Sequence, residues 1–368
     1  MAVINKPSTD QPTLPTSLKV VEFRPQEATE TLWSMYQLYR RRRFQITSPN
    51  DPISSDELHR KAVLQEVDHP EFISQRFLLV DESEELVVGQ MTMGSMRPTS
   101  PSYQGNEHLG QFDITVLPEY QGQGLGHELL TNVYRLFSQQ GKKILITGST
   151  EESGKRFLQK VGAKLALASR ENRLSFADLD FDLMEEWREE GERRNPDTRM
   201  EFYERIPEDV LGRYAKVYTV TMNQQPFGEL DISDMIFTPE TYRSREREYD
   251  ELGGKIITAV TFEADGSISG LTEMIFLPHQ THIINQGLTG VKQEYRGRGL
   301  GKWLKSAMIL HVRDLMPSVD TVKTGNAESN APMMSINDRM GFKAHKEIYN
   351  GQITLEALGS YLSEKGLL

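Results

Sequence analysis

The chain alternates short stretches in which every second residue is apolar with longer stretches in which apolar residues recur every three or four positions. The first pattern is typical of half-buried strands and the second of amphipathic helices. Residues 18–25, LKVVEFRP, predict a strand, and residues 28–44 predict the helix that follows it. Residues 77–93 predict a hairpin with an acidic turn between Asp81 and Glu85.

The same order of elements recurs in the second half of the chain. Residues 199–207 predict a strand, residues 208–220 a helix, and residues 256–276 a hairpin that turns at Asp265 and Gly266. A repeat of this length indicates two similar units in tandem. Each unit combines strands and helices, so the pattern predicts an α+β fold.

Composition places the boundaries of these units. Residues 1–17 are rich in Pro, Ser and Thr and predict a flexible tail. A charged helix within residues 181–198 ends before an Asn-Pro pair and predicts the linker. The N-terminal domain is then expected over 18–180 and the C-terminal domain over 199–368.

A glycine-rich stretch occurs once in each half. EYQGQGLG at 119–126 and EYRGRGLG at 294–301 match at six of eight positions, and each lies between a predicted strand and a predicted helix. A glycine turn that enters a helix presents unpaired amides and the positive end of the helix to an anion. Each stretch therefore predicts a phosphate or pyrophosphate site.

Two common phosphate motifs do not fit these stretches. A Walker loop requires Ser or Thr after Gly-Lys, but Trp303 follows Gly301 and Lys302. The dinucleotide fingerprint requires GxGxxG, whereas the glycines here alternate as GxGxG. The pattern that remains is Gln or Arg, two residues, Gly, one residue and Gly.

This pattern resembles the acyl-CoA loop of the GCN5-related N-acetyltransferases, the GNAT superfamily. The resemblance covers nearly the whole chain from residue 18, and the repeat resembles the two-domain arrangement of mycothiol-synthase-like members. It implies two tandem GNAT-type domains, each with a mixed, mostly antiparallel central sheet flanked by helices. It also implies acetyl-CoA as cosubstrate and transfer of its acyl group to the amine of a small molecule.

The resemblance further implies cofactor-binding residues in both halves. Those of the second half are Val291, Arg296, Gly297, Arg298, Gly299, Leu300, Gly301, Asn326 and Asn330. Those of the first half are Val116, Gln121, Gly122, Gln123, Gly124 and Gly126.

A second family signature, Asn-x-x-Ala-x-x-x-Tyr-x-x-x-Gly-Phe, distinguishes the halves. Before Gly341-Phe342, Asn330 takes the Asn position and Asn337 the Tyr position, where an amide could hydrogen-bond the sulfur. In the first half the same count gives Glu151 and Leu158. Leucine cannot donate a proton, and a carboxylate beside a polyanionic cofactor is unfavourable.

The first turn also carries Gln121 and Gln123 where the second has Arg296 and Arg298. The N-terminal domain is therefore expected to be degenerate and the C-terminal domain to be catalytic. One alternative is a non-catalytic acyl-CoA-binding or sensing protein, because the usual Tyr is missing from both halves. Another is that the N-terminal site is the active one, with CoA bound against residues 121–126 and not against 296–301.

Acetylation of an amine needs a base, and Glu273 in the predicted strand LTEMIFL is the candidate. The structural alternative is a carboxylate that is salt-bridged or solvated. Asp231 and Asp234 could line the substrate mouth or cap local turns. SREREYDEL at 244–252 predicts a solvated helix with charge pairs four residues apart.

Composition narrows the partners. The net charge of −11 argues against nucleic acid and favours a cationic or amine-bearing small substrate. The chain has no cysteine, and its eight His lack metal-ligand spacing, so no metal is expected. No apolar run approaches the about 20 residues of a membrane span, which predicts no membrane partner and a cytoplasmic location. The oligomeric state is not readable from the sequence.

Overall fold

The computed structural model describes residues 17–368, so the predicted tail 1–17 lies outside the described residues except for Ser17. The strands of the described chain are β1 (Leu18–Phe23), β2 (Phe72–Asp81), β3 (Leu86–Met96), β4 (Leu109–Val116), β5 (Ile144–Ser149), β6 (Lys164–Ser175), β7 (Arg199–Tyr203), β8 (Lys255–Phe262), β9 (Ile268–Phe276), β10 (Ile283–Val291), β11 (Thr321–Ala327) and β12 (Lys343–Thr354).

The helices of the same residues are α1 (Glu30–Thr47), α2 (Asp56–Val67), α3 (Leu125–Gln139), α4 (Glu152–Lys160), α5 (Phe181–Arg194), α6 (Glu208–Asn223), α7 (Pro239–Glu251), α8 (Leu300–Leu315), α9 (Ala331–Met340) and α10 (Leu355–Glu364). Both predicted hairpins are confirmed, as β2–β3 and β8–β9. The charged helix α5 ends at Arg194, directly before the Asn-Pro pair, as predicted.

All the strands described form one sheet, in the order β1-β2-β3-β4-β5-β12-β6-β11-β10-β9-β8-β7. Two of its pairs, β4–β5 and β10–β11, are parallel, and the other pairs are antiparallel. The predicted α+β class with a mixed, mostly antiparallel sheet is therefore confirmed.

The two halves of the chain exchange strands at the centre of this sheet. β6 comes from the first half and pairs with β11 of the second half, whereas β12 comes from the second half and pairs with β5 of the first. Helix α10, which comes after β12, also packs with the first half of the chain. Its Leu358 and Leu362 are fully buried in the core that contains Leu129 and Val133 of α3. The end of the chain thus completes the N-terminal core.

This packing differs from the division of the chain predicted at 181–198. That division remains a prediction, but residues 343–364, which it assigns to the C-terminal domain, pack with the N-terminal half. Sequence periodicity identifies a strand but not its partner, since pairing between strands so far apart is a non-local choice.

Both parallel pairs separate after a short paired segment. β4 and β5 are paired only from Leu109 to Gln111, although β4 continues to Val116 and β5 to Ser149. β10 and β11 are paired only from Ile283 to Gln286. In each half the glycine turn follows the longer, unpaired end of the first strand, so a V-shaped opening in the sheet faces the start of α3 or α8.

The strand exchange predicts a specific disulfide in this cysteine-free chain. Ile146 of β5 is the register partner of Gln352 of β12, and directly opposed residues of antiparallel strands have Cα atoms close enough to cross-link. We expect the double variant Ile146→Cys, Gln352→Cys to form an intramolecular disulfide under mild oxidation, detected as a 2 Da mass loss in the monomer.

The control pair is Ile146→Cys with Thr354→Cys, which moves the second thiol two residues along the strand, by about 6.6 Å. This pair should remain reduced under the same conditions. A disulfide that forms only in the control pair, or only between molecules, would contradict the exchange.

Candidate active site

The N-terminal glycine turn presents free amides to an open space. Gly122 (φ 78°) and Gly124 (φ 85°) have left-handed backbone conformations, and a Cβ on either would meet no heavy atom within 4 Å. Within the described chain the amides from Gly122 to Gly126 have no hydrogen-bond acceptor. Because Gly124 is also the N-cap of α3, the turn is suited to bind a phosphate.

A cavity of about 650 Å³ extends from this turn into the opening between β4 and β5. Its size lies in the range of small-molecule sites. Thr115 of β4 and Thr147 of β5 lie on its two sides, and Leu158 of α4 contributes an apolar surface. Ile348 of β12 also lines the cavity, so a strand from the second half of the chain completes it.

Two glutamines predicted to bind cofactor form hydrogen bonds within the turn. Gln121 Nε2 donates to the carbonyl oxygen of Val116 over 3.0 Å, and Gln123 Nε2 donates to that of Glu119 over 3.3 Å. Each side chain therefore closes a local loop. Their direct contact with a cofactor remains a prediction.

Helix α1 crosses the cavity on the side of the sheet opposite α3. The Tyr39 hydroxyl donates to the Thr115 carbonyl oxygen over 3.2 Å, and Arg43, one helical turn later, forms an ion pair with Glu151 after β5. Helix α1 thus contacts both sides of the opening, β4 through Tyr39 and Glu151 through Arg43. The charge of Glu151, predicted to disfavour an anionic cofactor, is compensated by this guanidinium.

Asp113 of β4 is a cavity-lining carboxylate that the sequence motifs did not identify. Its side chain is exposed to the cavity, whose walls nevertheless reduce its hydration and raise its pKa above the usual aspartate value. The positive charge of Arg43 opposes this rise in pKa, and the negative charge of Glu151 adds to it.

Basic side chains lie at the other end of the cavity, beside the glycine turn. His127 Nε2 lies 2.8 Å from the Tyr361 hydroxyl of α10. Burial lowers the pKa of His127, and the charges of Lys160 and Lys365 lower it further, which places both lysines near the turn. Both lysines are exposed, and no carboxylate of the described residues lies at ion-pair distance from either.

The C-terminal glycine turn has the same backbone but a different setting. Gly297 (φ 80°) and Gly299 (φ 85°) repeat the left-handed conformations. However, Arg194 Nη2 donates to the Gly297 carbonyl oxygen over 3.1 Å and Asn195 Nδ2 to the Arg298 carbonyl oxygen over 3.3 Å. The end of α5 therefore covers one side of this turn.

The two arginines that favoured this turn in the sequence are bound by other protein groups. Arg298 forms an ion pair with Glu263 at 3.0 Å and also donates to Asn195 and Thr198. Arg296 donates to the Gln224 side chain over 2.6 Å. Glu263 thus compensates the charge of Arg298, whereas Arg296 donates to a neutral amide and keeps its charge. Sequence spacing could not show these contacts.

Glu273, the predicted base, is fully buried in a polar network beside β10. Its carboxylate accepts two hydrogen bonds from Arg245, at 3.1 and 3.0 Å, one from the Tyr214 hydroxyl at 2.8 Å and one from the Tyr242 hydroxyl. Burial raises the pKa of both tyrosines well above the usual value, so they remain neutral donors. This geometry favours the structural alternative; a catalytic role remains a prediction.

The network corrects the prediction of a solvated helix at 244–252. α7 carries Arg245 and Glu246 inward, and the Glu246 side chain accepts the amide hydrogen of Ile206 over 2.9 Å. Charge spacing along a helix does not show which of its charges find partners inside the protein. Here Glu273 of β9 is the partner of Arg245, and the buried amide of Ile206 is the partner of Glu246.

At the position of Asp113, on the side facing the first helix, the strand before the C-terminal glycine turn has an apolar residue. Asp113 precedes Gly122 by nine residues, and Leu288 precedes Gly297 by the same nine. Leu288 is buried in the tyrosine-rich core with Tyr214 and Tyr242. Aligning the two repeats at this position could have identified Asp113 from the sequence.

The asparagines predicted for the C-terminal half form their own contacts. Asn330 is the N-cap of α9 and accepts the Met333 amide over 3.4 Å. The fully buried Asn337 donates to Asn326 over 2.8 Å, and Asn172 of β6 donates to the same oxygen over 3.3 Å. Asn326 and Asn337 are therefore in contact with each other. Cofactor binding by Asn326, Asn330 and Val291 and a catalytic role for Asn337 remain predictions.

The acidic pair considered for the substrate mouth, Asp231 and Asp234, lies on the loop between α6 and α7. Asp231 is 3.2 Å from His108, and its amide donates to Gln352 over 2.7 Å. Asp234 is exposed on the same loop. Neither residue lines the cavity.

Comparisons with known proteins agree with this fold and with a glycine turn in each half. Residues 32–163 match the model of the acetyltransferase (GNAT) family. A tandem GNAT protein from the clavulanic acid biosynthesis pathway is 16% identical with a TM-score of 0.69, covering 92% of this chain and 98% of that one.

Two further solved structures share the fold. A GCN5-related N-acetyltransferase from Sphaerobacter thermophilus is 15% identical with a TM-score of 0.61, covering 93% of this chain and 97% of that one. Saccharomyces cerevisiae N-myristoyltransferase with bound myristoyl-CoA is 9% identical with a TM-score of 0.54, covering 94% and 80%. The chain thus has the fold of tandem GNAT proteins, and its residues 32–163 match the family model.

A search of the curated proteins found no match. Among the helices of residues 17–368, none is long and apolar enough to cross a membrane.

The buried network predicts that Glu273 stabilises the fold. Removal of one partner of a buried ion pair leaves the other charge uncompensated, which typically costs about 3–5 kcal/mol. We expect Glu273→Ala to lower the free energy of unfolding by about this amount, measured by urea denaturation. The exposed Glu294→Ala is the control and should change it by less than about 0.5 kcal/mol. Equal stability of the two variants would contradict a structural role for Glu273.

Proposed function

We propose that the chain is an acetyl-CoA-dependent N-acetyltransferase that acts on a small-molecule amine, and that acyl-CoA binds in the N-terminal cavity. The observation that carries this proposal is the continuous space between β4 and β5, which ends at a turn whose amides have no acceptor in the described chain. The GNAT fold supports acyl transfer from CoA in general. The match of residues 32–163 to the family model supports the choice of this half.

The residues present fit an acyl-CoA. The amides of Gly122 to Gly126 and the N-terminus of α3 would hold the pyrophosphate, with Lys160 and Lys365 adding positive charge. Where β4 and β5 are not paired with each other, their backbone groups can hydrogen-bond the amide groups of the extended pantetheine arm of acyl-CoA. The bound molecule would supply an acyl group activated as a thioester.

The N-terminal site replaces the C-terminal site expected from the motifs, for reasons of charge and space. The arginines of the C-terminal turn are held by Glu263 and Gln224. The corresponding acceptor side is filled by Leu288 and the tyrosines around Glu273. Catalysis in the C-terminal half remains the competing prediction.

One observation favours a second function, that of a non-catalytic acyl-CoA-binding protein. Leu158 lines the N-terminal cavity at the position where the family motif has its proton-donating Tyr. Release of CoA in the presence of amines distinguishes the two functions. Binding of acetyl-CoA without any such release would support the binding protein.

The paired turns allow a matched test of where acyl-CoA binds. Gly124→Asp places a negative charge at the N-terminal turn, and Gly299→Asp places one at the C-terminal turn in the same backbone conformation. We expect Gly124→Asp to weaken binding of acetyl-CoA at least tenfold by charge repulsion, about 1.4 kcal/mol or more, measured by calorimetry. Gly299→Asp should change the dissociation constant less than about threefold, or about 0.65 kcal/mol.

Gly124→Asn is the control for backbone strain, since asparagine tolerates this conformation and carries no charge. It should bind acetyl-CoA more tightly than Gly124→Asp. Weakened binding in Gly299→Asp alone would assign acyl-CoA to the C-terminal half and reject the N-terminal site.

A further inference from the structure

Asp113 is an ionisable group of the cavity that binding of acyl-CoA does not require. It lies on β4 opposite Thr92 of β3 and lines the cavity. Arg43, the cation that acts on it, is already paired with Glu151. Within residues 17–368 no cation lies at ion-pair distance from the Asp113 carboxylate.

The position of Asp113 separates it from the phosphate end of the cavity. Phe112 packs into the core with Leu125 and Leu129 of α3, and successive side chains of a strand point to opposite faces. Asp113 therefore shares with Thr115 the face that contacts Tyr39 of α1. A second substrate that enters from the α1 side would meet this carboxylate.

Charge is divided between the two ends of the cavity. Lys160 and Lys365 lie near the glycine turn, where anionic phosphates are expected. At the α1 end the charges of Arg43 and Glu151 cancel, so Asp113 leaves one uncompensated negative charge. Such a site attracts a cation and disfavours a carboxylate.

We propose that Asp113 is the catalytic base of the N-terminal cavity and that the acceptor is a small amine without a carboxylate. This inference rests on the proposed function. The Asp113 carboxylate takes one proton from the acceptor ammonium, which leaves a neutral amine. The nitrogen lone pair then forms the C–N bond as the C–S bond breaks. The sulfur leaves with the electron pair of that bond and is protonated to the thiol, while the nitrogen loses its second proton.

The surroundings of Asp113 set the expected pH dependence. Restricted hydration and the charge of Glu151 at the start of α4 raise its pKa, the charge of Arg43 of α1 lowers it, and the pKa stays above the usual value. Tyr39 of α1 is the other titratable group nearby, and its own raised pKa keeps it neutral. The base works only when ionised, so kcat/KM should fall as the pH falls through this raised pKa. Asp113→Asn should lack that acidic limb.

The experiment compares Asp113→Asn and Asp113→Glu with the unaltered full-length protein. The probes are acetyl-CoA with 1,4-diaminobutane and with 4-aminobutanoate, which differ only in a second ammonium or a carboxylate. We expect the diamine to be acetylated with at least tenfold higher kcat/KM. We expect Asp113→Asn to lower kcat at least a hundredfold while the dissociation constant of acetyl-CoA changes less than twofold, and Asp113→Glu to restore part of the rate.

The control variant is Asp338→Asn, an exposed aspartate of α9 that does not line the cavity and should behave as the unaltered protein. Retention of kcat within threefold in Asp113→Asn would overturn the role of Asp113 even if acetyl-CoA binds as proposed. A preference for 4-aminobutanoate, or turnover of neither amine, would overturn the acceptor class. Failure of acetyl-CoA to bind at the N-terminal turn would instead reject the proposed function.

Discussion

The separation of β4 from β5 beyond Gln111 is the constraint on which the N-terminal site depends. Backbone groups of two parallel strands that stop pairing in the interior of a protein need other partners. In the N-terminal half the opening stays free, bounded by the glycine turn, α4 and β12. In the C-terminal half one face of the equivalent strand is occupied by Leu288 and the hydrogen-bonded cluster around Glu273. One backbone plan thus gives two different sites.

The exchange of β6 and β12 explains why the chain needs both halves even if chemistry occurs in one. Ile348 lines the N-terminal cavity, and α10 brings Tyr361 to His127 and Lys365 near the phosphate end. The core beneath α3 is closed by Leu358 and Leu362. The second half of the sequence therefore acts as part of the first site.

Local patterns in the sequence predicted the elements and the glycine turns well, because they depend on neighbouring residues. Gly122, Gly124, Gly297 and Gly299 lie in turns that enter helices, as the sequence predicted, and they have left-handed backbone conformations. The partners of charged residues could not be predicted in this way. Whether Arg298 faces a phosphate or Glu263, and whether Glu273 faces a substrate or Arg245, is decided by elements distant in the chain.

Asp113 is a cavity residue that local sequence patterns could not identify. The stretch QFDITV alternates as a half-buried strand, but alternation does not show that the face carrying Asp113 opens into a cavity.

Hydrogen exchange with and without acetyl-CoA tests most directly whether the N-terminal opening is the site. Binding there should slow exchange of the amides from Gly122 to Gly126 and leave those from Gly297 to Gly301 unchanged. Slowed exchange at Gly297 to Gly301 alone would contradict it.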